Sequence, residues 1–439
     1  MRMNKKTSQT VITVTALVAL CLIPILSRTI PFPGVVWFKG NLHTHTLWSD
    51  GDAPPEVTVG WYKNHGYDFL ALSDHNILSA GEKWIPVLNE GKPDNWPPPF
   101  TTAKLNNLKQ QFGENSVELR SENDSLFMRL RTLEELREQF QQAGRFILIQ
   151  AEEITDTFEK YPVHVNATNL ETLIMPQGGG STSDVMQRNI DAVRAQRDET
   201  GRPMIAHINH PNFGWGIVAE DLIRLNGDRF FEIYNGHPGV RNWGDESHPG
   251  TDRMWDIVLA MRLAQGREPL YGVAVDDAHS YYEIGVGESN AGRGWVMVKA
   301  PQLSAEALIE AMERGNFYAT TGVQLEDVAV SDGMIKITIQ ADEGVSYRTQ
   351  FIGTPREFDR SSRPVSNADG TPQHISRIYS SDIGQVLFET EVNPAVYRFS
   401  GDELYVRAKI VSDRKHPNPF AEGDVETAWT QPVTVSPSQ

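Results

Sequence analysis

The sequence predicts an α/β protein with a parallel sheet or barrel, followed by a smaller antiparallel β-domain. Between residues 35 and 279, segments typical of strands alternate with segments typical of helices, with about seven strand candidates, and such alternation is typical of parallel α/β folds. After residue 322 the pattern changes to short alternating apolar segments separated by turn residues, which is typical of an antiparallel β-sandwich.

The first part of the chain has two strand candidates around one helix candidate. The segment 35–43 ends at a histidine, and 67–75 is a second apolar run. Between them, 54–66 has prolines at its start and a glycine at its end, which is typical of a helix. Residues 79–130 are rich in proline, asparagine and charge, and we interpret them as a long insertion.

Helix and strand signals then follow one another to residue 322. Thr132 and Glu135 predict a capping box at the start of a helix that stops at Gly144. The further strand candidates are 145–153, 164–170, 203–211, 230–236 and 270–279, and the further helix candidates are 182–199, 219–227, 252–266 and 304–322. The strand candidates of the C-terminal domain are 334–340, 347–353, 395–400 and 404–413.

The N-terminus has the pattern of an export segment. Arg2, Lys5 and Lys6 precede the apolar run 11–26, which suits a signal peptide or an uncleaved membrane anchor. We therefore predict three regions: 1–32 as signal peptide or anchor, 33–322 as the α/β domain with the 79–130 insertion, and 323–439 as the β-rich domain. The protein is expected to be periplasmic, extracellular or anchored to the outer face of a membrane.

Charge and cysteine content restrict the function. The formal net charge is −17, which argues against nucleic acid as a partner, because nucleic-acid binders usually present a basic face. The single cysteine, Cys21, lies in the apolar N-terminal run, so the folded body has no disulfide and no thiolate metal site. Any metal must be bound by histidine and carboxylate side chains.

Histidine and acidic residues are concentrated just after the strand candidates. The stretch "NLHTHTLWSDGD" places His43 and His45 on one side of an extended backbone, because strand side chains repeat every two residues. The other groups of this kind are Asp50, His75, Glu153, His164, His207, His210, Asp276, Asp277 and His279. Strand ends of a barrel meet at one face, so these groups should converge. Imidazole and carboxylate ligands together suit Zn, Mn or Fe.

The order of these motifs resembles the PHP (polymerase and histidinol phosphatase) superfamily of metallohydrolases. The matching residues read HTH, SDG, SDHN, EIT, a lone His, HP and DAH in chain order. The stretch from Asn41 to Asn76, with "AWTQPV" near the C-terminus, is similar to the carbaryl-hydrolase-like branch. The resemblance implies a distorted (βα)7 TIM-like barrel, a trinuclear metal site and hydrolysis, typically of phosphate esters.

The resemblance also implies nine ligands for three divalent ions (Zn, Mn or Fe). One ion would take His43, His45 and Asp277; a second would take His164 and His210, with Glu153 bridging these two; a third would take Asp50, His75 and His279. Glu152 is an alternative to Glu153, and His207 is an alternative to His210. Asp276 and Asp74 are expected to support neighbouring ligands by hydrogen bonds.

The expected chemistry is metal-assisted hydrolysis. Three divalent ions beside the carboxylates of Asp50, Glu153 and Asp277 would leave a formal charge of about +3, which attracts a small anionic ester. A metal-bridging hydroxide held by Glu153 and Asp277 would be the nucleophile. The alternatives are carboxylester or carbamate hydrolysis at the same site, and a non-catalytic metal-binding or carbohydrate-binding surface protein.

Three residues outside this set are candidates for substrate contact. Trp215 follows His210 closely and is a candidate wall of the pocket. Arg241 and Arg293 lie in glycine-rich loops and are candidates for binding a substrate anion, although solvated loop arginines are the more common case.

Overall fold

The computed structural model describes residues 35–89, 99–331 and 333–436. The predicted export segment, including the run 11–26, lies outside these residues. Within the described part of the chain, no helix is long and apolar enough to cross a membrane.

The described chain contains seven α-helices and many strands. The helices are α1 (Pro55–Asn64), α2 (Thr102–Phe112), α3 (Leu133–Phe140), α4 (Thr182–Thr200), α5 (Ala219–Arg224), α6 (Thr251–Leu263) and α7 (Ala305–Glu313), with short 3-10 helices at Glu114–Ser116 and Phe213–Trp215. The strands up to residue 320 are β1 (Val36–Asn41), β2 (Phe69–Leu72), β3 (Trp84–Val87), β4 (Leu119–Glu122), β5 (Ser125–Arg129), β6 (Ile147–Phe158), β7 (Tyr161–Thr168), β8 (Ile205–Ile208), β9 (Phe230–Asn235), β10 (Tyr271–Val275), β11 (Trp295–Ala300) and β12 (Phe317–Thr320). The later strands are β13 (Leu325–Ser331), β14 (Met334–Ile339), β15 (Tyr347–Pro355), β16 (Ser362–Arg363), β17 (Ile378–Tyr379), β18 (Gln385–Thr390), β19 (Ala395–Arg398), β20 (Glu403–Lys415), β21 (Val425–Thr430) and β22 (Val433–Thr434).

One large mixed sheet organises the molecule. Its hydrogen-bonded order is β10-β9-β8-β7-β6-β2-β1-β11-β12-β21-β20-β15-β18, with β22 beside β20. The neighbours β1 and β2, β2 and β6, β8 and β9, and β9 and β10 are parallel. The α/β class predicted from the alternation is therefore confirmed.

The expected distorted (βα)7 TIM-like barrel is not confirmed. The sheet is open, with β10 at one edge and β18 at the other. The chain turns directly from β6 into β7 at Glu159, where φ is 54°, so this pair is antiparallel. A parallel connection would need a crossover of roughly a dozen residues, which the sequence does not have at this point.

The C-terminal strands are antiparallel as predicted, but a C-terminal β-sandwich is not confirmed. β21 pairs with β12, so β20, β15 and β18 extend the main sheet. β13, β14 and β19 form a second, three-stranded sheet. The predicted domain boundary near residue 322 stays a prediction.

A buried ion pair fixes the C-terminal strands to the α/β part. Arg407 on β20 donates two hydrogen bonds of 2.8 and 2.7 Å to the carboxylate of Asp256 on α6. Tyr405 Oη donates a third, of 2.8 Å, to the same carboxylate. Arg407 is 1% exposed and Asp256 4%, so neither charge is compensated by bulk water.

The segment 79–130, predicted as an insertion, carries a small sheet of its own. β3, β5 and β4 pair antiparallel and do not join the main sheet. Helix α3 follows, and its capping box is confirmed: Glu135 N donates to Thr132 Oγ1, and Thr132 N donates to the Glu135 carboxylate over 2.8 Å.

Candidate metal centre

The nine predicted ligands meet at the ends of the parallel strands and on the β6–β7 hairpin. His43 and His45 follow β1, His75 follows β2, His210 follows β8, and Asp277 follows β10. Seven of the nine line a cavity of about 330 Å³: Asp50, His75, Glu153, His164, His210, Asp277 and His279. His43 and His45 are fully buried beneath it. The structure thus brings the set together, and the assignment of individual ligands stays a prediction.

Backbone hydrogen bonds between two loops fix the centre of the site. Asp277 N donates to His43 O, and His45 N donates to Ala278 O, each over 3.0 Å. Asp277 has a φ of 50°, in the left-handed region that non-glycine residues seldom occupy. This conformation is held by the pairing with the His43–His45 segment.

Four ligand atoms of the inner cluster form a compact polyhedron. His43 Nε2 and His45 Nε2 are 3.1 Å apart. Each of these nitrogens lies 3.1 to 3.2 Å from Glu153 Oε2 and 3.2 Å from Asp277 Oδ1. A tetrahedral ion with bonds of about 2.0 Å requires ligand–ligand edges of about 3.3 Å. The donor set and its spacing therefore fit a divalent metal.

An unsatisfied oxygen supports the same conclusion. Glu153 is 1% exposed, and its Oε2 is buried and accepts no hydrogen bond of good geometry in the described structure, although three imidazole nitrogens lie 2.9 to 3.2 Å from it. Buried carboxylate oxygens without a partner are costly. Its other oxygen accepts hydrogen bonds from Asn209 Nδ2 and His164 Nδ1, each over 2.8 Å. His210 Nε2 lies 3.4 Å from that oxygen, so Glu153 is placed between two groups of imidazoles.

A third group lies on the outer side of His45. The ligand atoms of His45, Asp50, His75 and His279 lie within 4.8 Å of one another. Asp50 contacts His75 Nε2 at 3.5 Å and His279 Nε2 at 3.4 Å. His75 Nδ1 is 2.5 Å from Thr155 Oγ1, and this contact orients the ring.

Glu232 is a functional candidate that the sequence reasoning missed. It is 1% exposed on β9, and its Oε1 lies 2.7 Å from His43 Nδ1. This acceptor holds the proton of His43 on Nδ1 and leaves the Nε2 lone pair directed at the inner cluster, as in metal-binding histidines generally. A single acid in the apolar run "FFEIYN" was the available signal, because a buried acid needs a partner.

The pKa values show how closely the charges of the site are coupled. Burial opposes ionisation of Glu153, but the imidazoles of His75, His43 and His164 outweigh it and hold the pKa of Glu153 well below its usual range. Burial likewise opposes a charge on His43, but Asp277, Glu153 and Glu232 raise its pKa well above the ordinary value. The site therefore binds either protons or cations strongly at neutral pH.

The two alternatives left open by the motifs differ clearly in position. Glu152 faces away from the cavity, where its Oε1 accepts from Ile174 N over 2.7 Å, and burial raises its pKa to about 8. His207 does not line the cavity, and its Nε2 contacts Glu232 at 3.2 Å. Glu153 and His210 are thus the cavity residues.

The two predicted supporting acids act on backbone and loop groups. Asp276 is buried and accepts hydrogen bonds from Tyr62 Oη and from the backbone N–H groups of residues 292–294. Asp74 does not bond to His75. It accepts from Thr46 and Ser49, and Ser49 Oγ lies 3.3 Å from His45 Nδ1, so Asp74 orders the loop behind His45.

The three candidates for substrate contact do not line the cavity. Trp215 does not line the cavity; it stacks on His248 with ring centroids 3.8 Å apart. Arg241 packs over Trp215 rather than into the cavity. Arg293 is fully buried and donates to the carbonyl oxygens of residues 236, 285 and 288, so it is structural.

The remaining lining residues were not predicted. Phe213 contributes an aromatic wall, and its ring centroid is 5.0 Å from that of His210. His237 also lines the cavity, and burial lowers its pKa to about 4. Neither residue belongs to a motif with metal-ligand spacing, which is why the sequence did not indicate them.

Comparison with known proteins leaves the family open. No family model and no curated protein matches the chain. Similar solved structures include a two-domain protein containing a predicted PHP-like metal-dependent phosphoesterase from Bacteroides vulgatus, with 14% identity, a TM-score of 0.41, and coverage of 92% of this chain and 97% of that one.

Two further solved structures are similar over less of the chain. One is a candidate metal-dependent phosphoesterase from Bifidobacterium adolescentis, with 12% identity, a TM-score of 0.30, and coverage of 63% of this chain and 94% of that one. The other is an amidohydrolase from Chromobacterium violaceum with bound sulfate and no metal, with 12% identity, a TM-score of 0.27, and coverage of 55% and 88%. TM-scores below 0.5 do not show a common fold, and the geometry of the site carries the functional conclusion.

Proposed function

We propose that this chain is a metal-dependent hydrolase of the PHP type and that it acts as a phosphoesterase. The observation that carries the proposal is the inner cluster, in which two imidazole nitrogens lie 3.1 Å from each other and 3.1 to 3.2 Å from each of two carboxylate oxygens. His43, His45, Glu153 and Asp277 would hold one divalent ion.

The same reasoning extends to a trinuclear arrangement. His164 and His210, sharing Glu153, would hold a second ion, and Asp50, His75 and His279 a third. Zn, Mn and Fe suit a set of six imidazoles and three carboxylates. Bound ions of this kind supply Lewis acidity toward a phosphoryl oxygen and lower the pKa of water.

The chain's own residues contribute charge and position. Glu153 and Asp277 remain ionised at neutral pH, because the surrounding imidazoles hold the pKa of both carboxyls well below the usual range. Asp277 is held by Asn235, whose Nδ2 donates to Asp277 Oδ2 over 3.1 Å. These two carboxylates would therefore hold the attacking water in a fixed position.

A second candidate function is hydrolysis of a carboxylic ester or carbamate at the same site. Neither lysine nor arginine is among the described residues that line the cavity. The lining side chains therefore do not select for a substrate with several negative charges. A neutral substrate would fit this lining, and an anionic one would depend on the bound ions for charge compensation. The phosphate ester is preferred because the ions would provide that charge.

The test is turnover of three p-nitrophenyl esters, the phosphate monoester, the phosphodiester and the acetate, by the full chain loaded with Mn or Zn. We expect release from the phosphate ester and its loss in Asp277→Asn. Asp245→Asn, the same chemical change at an exposed loop acid, is the control and should keep full activity. Turnover of the acetate alone would favour the ester or carbamate reading, and metal binding without any turnover would favour a non-catalytic metal-binding protein.

The location of the protein is also part of the proposal. The run 11–26 would direct the chain out of the cytoplasm as a signal peptide or hold it at the outer face of the membrane. Fractionation of cells that express the full chain tests this, and recovery in the cytoplasmic fraction would contradict it.

A further inference from the structure

The cavity offers a substrate two groups besides the candidate ligands. Of its nine lining residues, seven are the candidate ligands already described, and the other two are Phe213 and His237. None of the metal-type clusters in the described structure includes His237. His237 is therefore the lining residue that has a polar side chain and no place in the ligand set.

The ring of His237 presents a donor. Gly239 N donates a hydrogen bond of 3.0 Å to His237 Nδ1, so Nδ1 carries the lone pair. In a neutral imidazole the proton is then on Nε2. An N–H group at the wall of a cavity that otherwise consists of metal-type ligands and one phenyl ring is suited to a substrate oxygen.

The position of this ring is fixed from several sides. His237 N donates to Asn235 Oδ1 over 2.8 Å, and Asn235 also holds Asp277. The rings of Phe213 and His237 lie edge to face, with centroids 6.1 Å apart. Gly239 leaves the space for both, because a Cβ there would lie 3.0 Å from His237 Cε1 and 3.1 Å from Phe213 Cε2.

We infer that His237 positions the substrate by donating a hydrogen bond from Nε2 to an oxygen of the group being hydrolysed. The inference rests on the proposed function, and it adds a positioning residue outside the metal ligands. Phe213, beside it, would contact the organic part of the same substrate. A neutral donor contributes orientation and some charge stabilisation without competing with the ions for ligands.

The experiment compares His237→Met and His237→Gln in the metal-loaded full chain. Calorimetry measures the affinity for inorganic phosphate, and elemental analysis measures bound metal. One hydrogen bond to a charged group corresponds to about a tenfold loss of phosphate affinity in His237→Met. His237→Gln keeps an N–H near the Nε2 position and should recover most of it. Both variants should keep the wild-type metal content.

A matched control and separate outcomes keep the inference distinct from the proposed function. His248→Met makes the same change at a histidine that stacks on Trp215 outside the cavity, and it should leave phosphate affinity unchanged. Equal phosphate affinity in wild type and His237→Met, no phosphate binding by the wild type, or loss of metal in His237→Met would each overturn the inference. A wild type that binds phosphate but hydrolyses none of the three esters would refute the phosphoesterase proposal while leaving the role of His237 measurable.

Discussion

Replacing Glu232 by glutamine should weaken metal binding without changing any candidate ligand. The carboxylate accepts from His43 Nδ1 over 2.7 Å, from His210 N over 2.7 Å and from Asn235 Nδ2 over 2.8 Å. Glutamine has only one acceptor oxygen and no charge, so it cannot accept from both His43 Nδ1 and His210 N, and the partner that fixes the His43 tautomer is weakened. Supporting contacts of this kind change metal affinity by about 10- to 100-fold, which corresponds to about 1.4 to 2.7 kcal/mol.

The assay is competition for Zn with a chromophoric chelator at pH 7.5. The control is Glu152→Gln, the same substitution at another buried acid, which faces Ile174 instead of the cavity. We expect Glu232→Gln to raise the Kd of the tightest ion by at least tenfold and Glu152→Gln to leave it unchanged. Unchanged affinity in Glu232→Gln, with the fold intact by circular dichroism, would refute the assignment of His43 as a ligand held by Glu232.

Three further expectations concern stability and protons. First, burial raises the pKa of Glu152 from 4.5 to about 8, so the folded state binds this proton more tightly than the unfolded state. The free energy of unfolding should therefore fall as the pH rises from about 5 toward 8. Urea denaturation should show a smaller fall in Glu152→Gln than in the wild type. Second, Arg407→Met leaves Asp256 buried without its cation and should cost about 3 to 5 kcal/mol in urea denaturation, whereas an unchanged midpoint would contradict the importance of this ion pair. Third, metal loading at pH 7 should release protons, because neighbouring carboxylates raise the pKa of His43; calorimetry in buffers of different ionisation enthalpy measures this release, and a buffer-independent heat would contradict it.

The candidate ligands could be predicted because metal chemistry leaves a local signal. A pair such as His43 and His45 places two imidazoles on one side of a strand, and several such groups stood directly after apolar runs. The choice between Glu152 and Glu153 could not be made from spacing alone. The choice depends on which face of β6 borders the cavity, because adjacent residues of a strand point to opposite faces.

The sheet topology was harder to predict from the sequence than the candidate site. The turn at Glu159 makes β6 and β7 antiparallel, and this hairpin brings His164 to Glu153. Alternation of strand and helix signals does not reveal such a reversal, because the residue pattern of a short strand is the same whether it pairs parallel or antiparallel with its neighbour. Glu232 and His237 were missed for a different reason. Glu232 contacts His43, which is distant in sequence, and His237 lines the cavity, and neither residue belongs to a sequence motif.

Anomalous diffraction from crystals of the full chain grown with Zn tests most directly whether the inner cluster binds a metal ion. We expect a strong anomalous peak bonded to His43 Nε2, His45 Nε2, Glu153 and Asp277, at about 2.0 to 2.2 Å from each ligand atom. Further peaks beside His164 and His210, and among Asp50, His75 and His279, would show that the site binds three ions. Well-ordered side chains with no anomalous peak among the inner four would contradict the claim that this cluster is a metal centre.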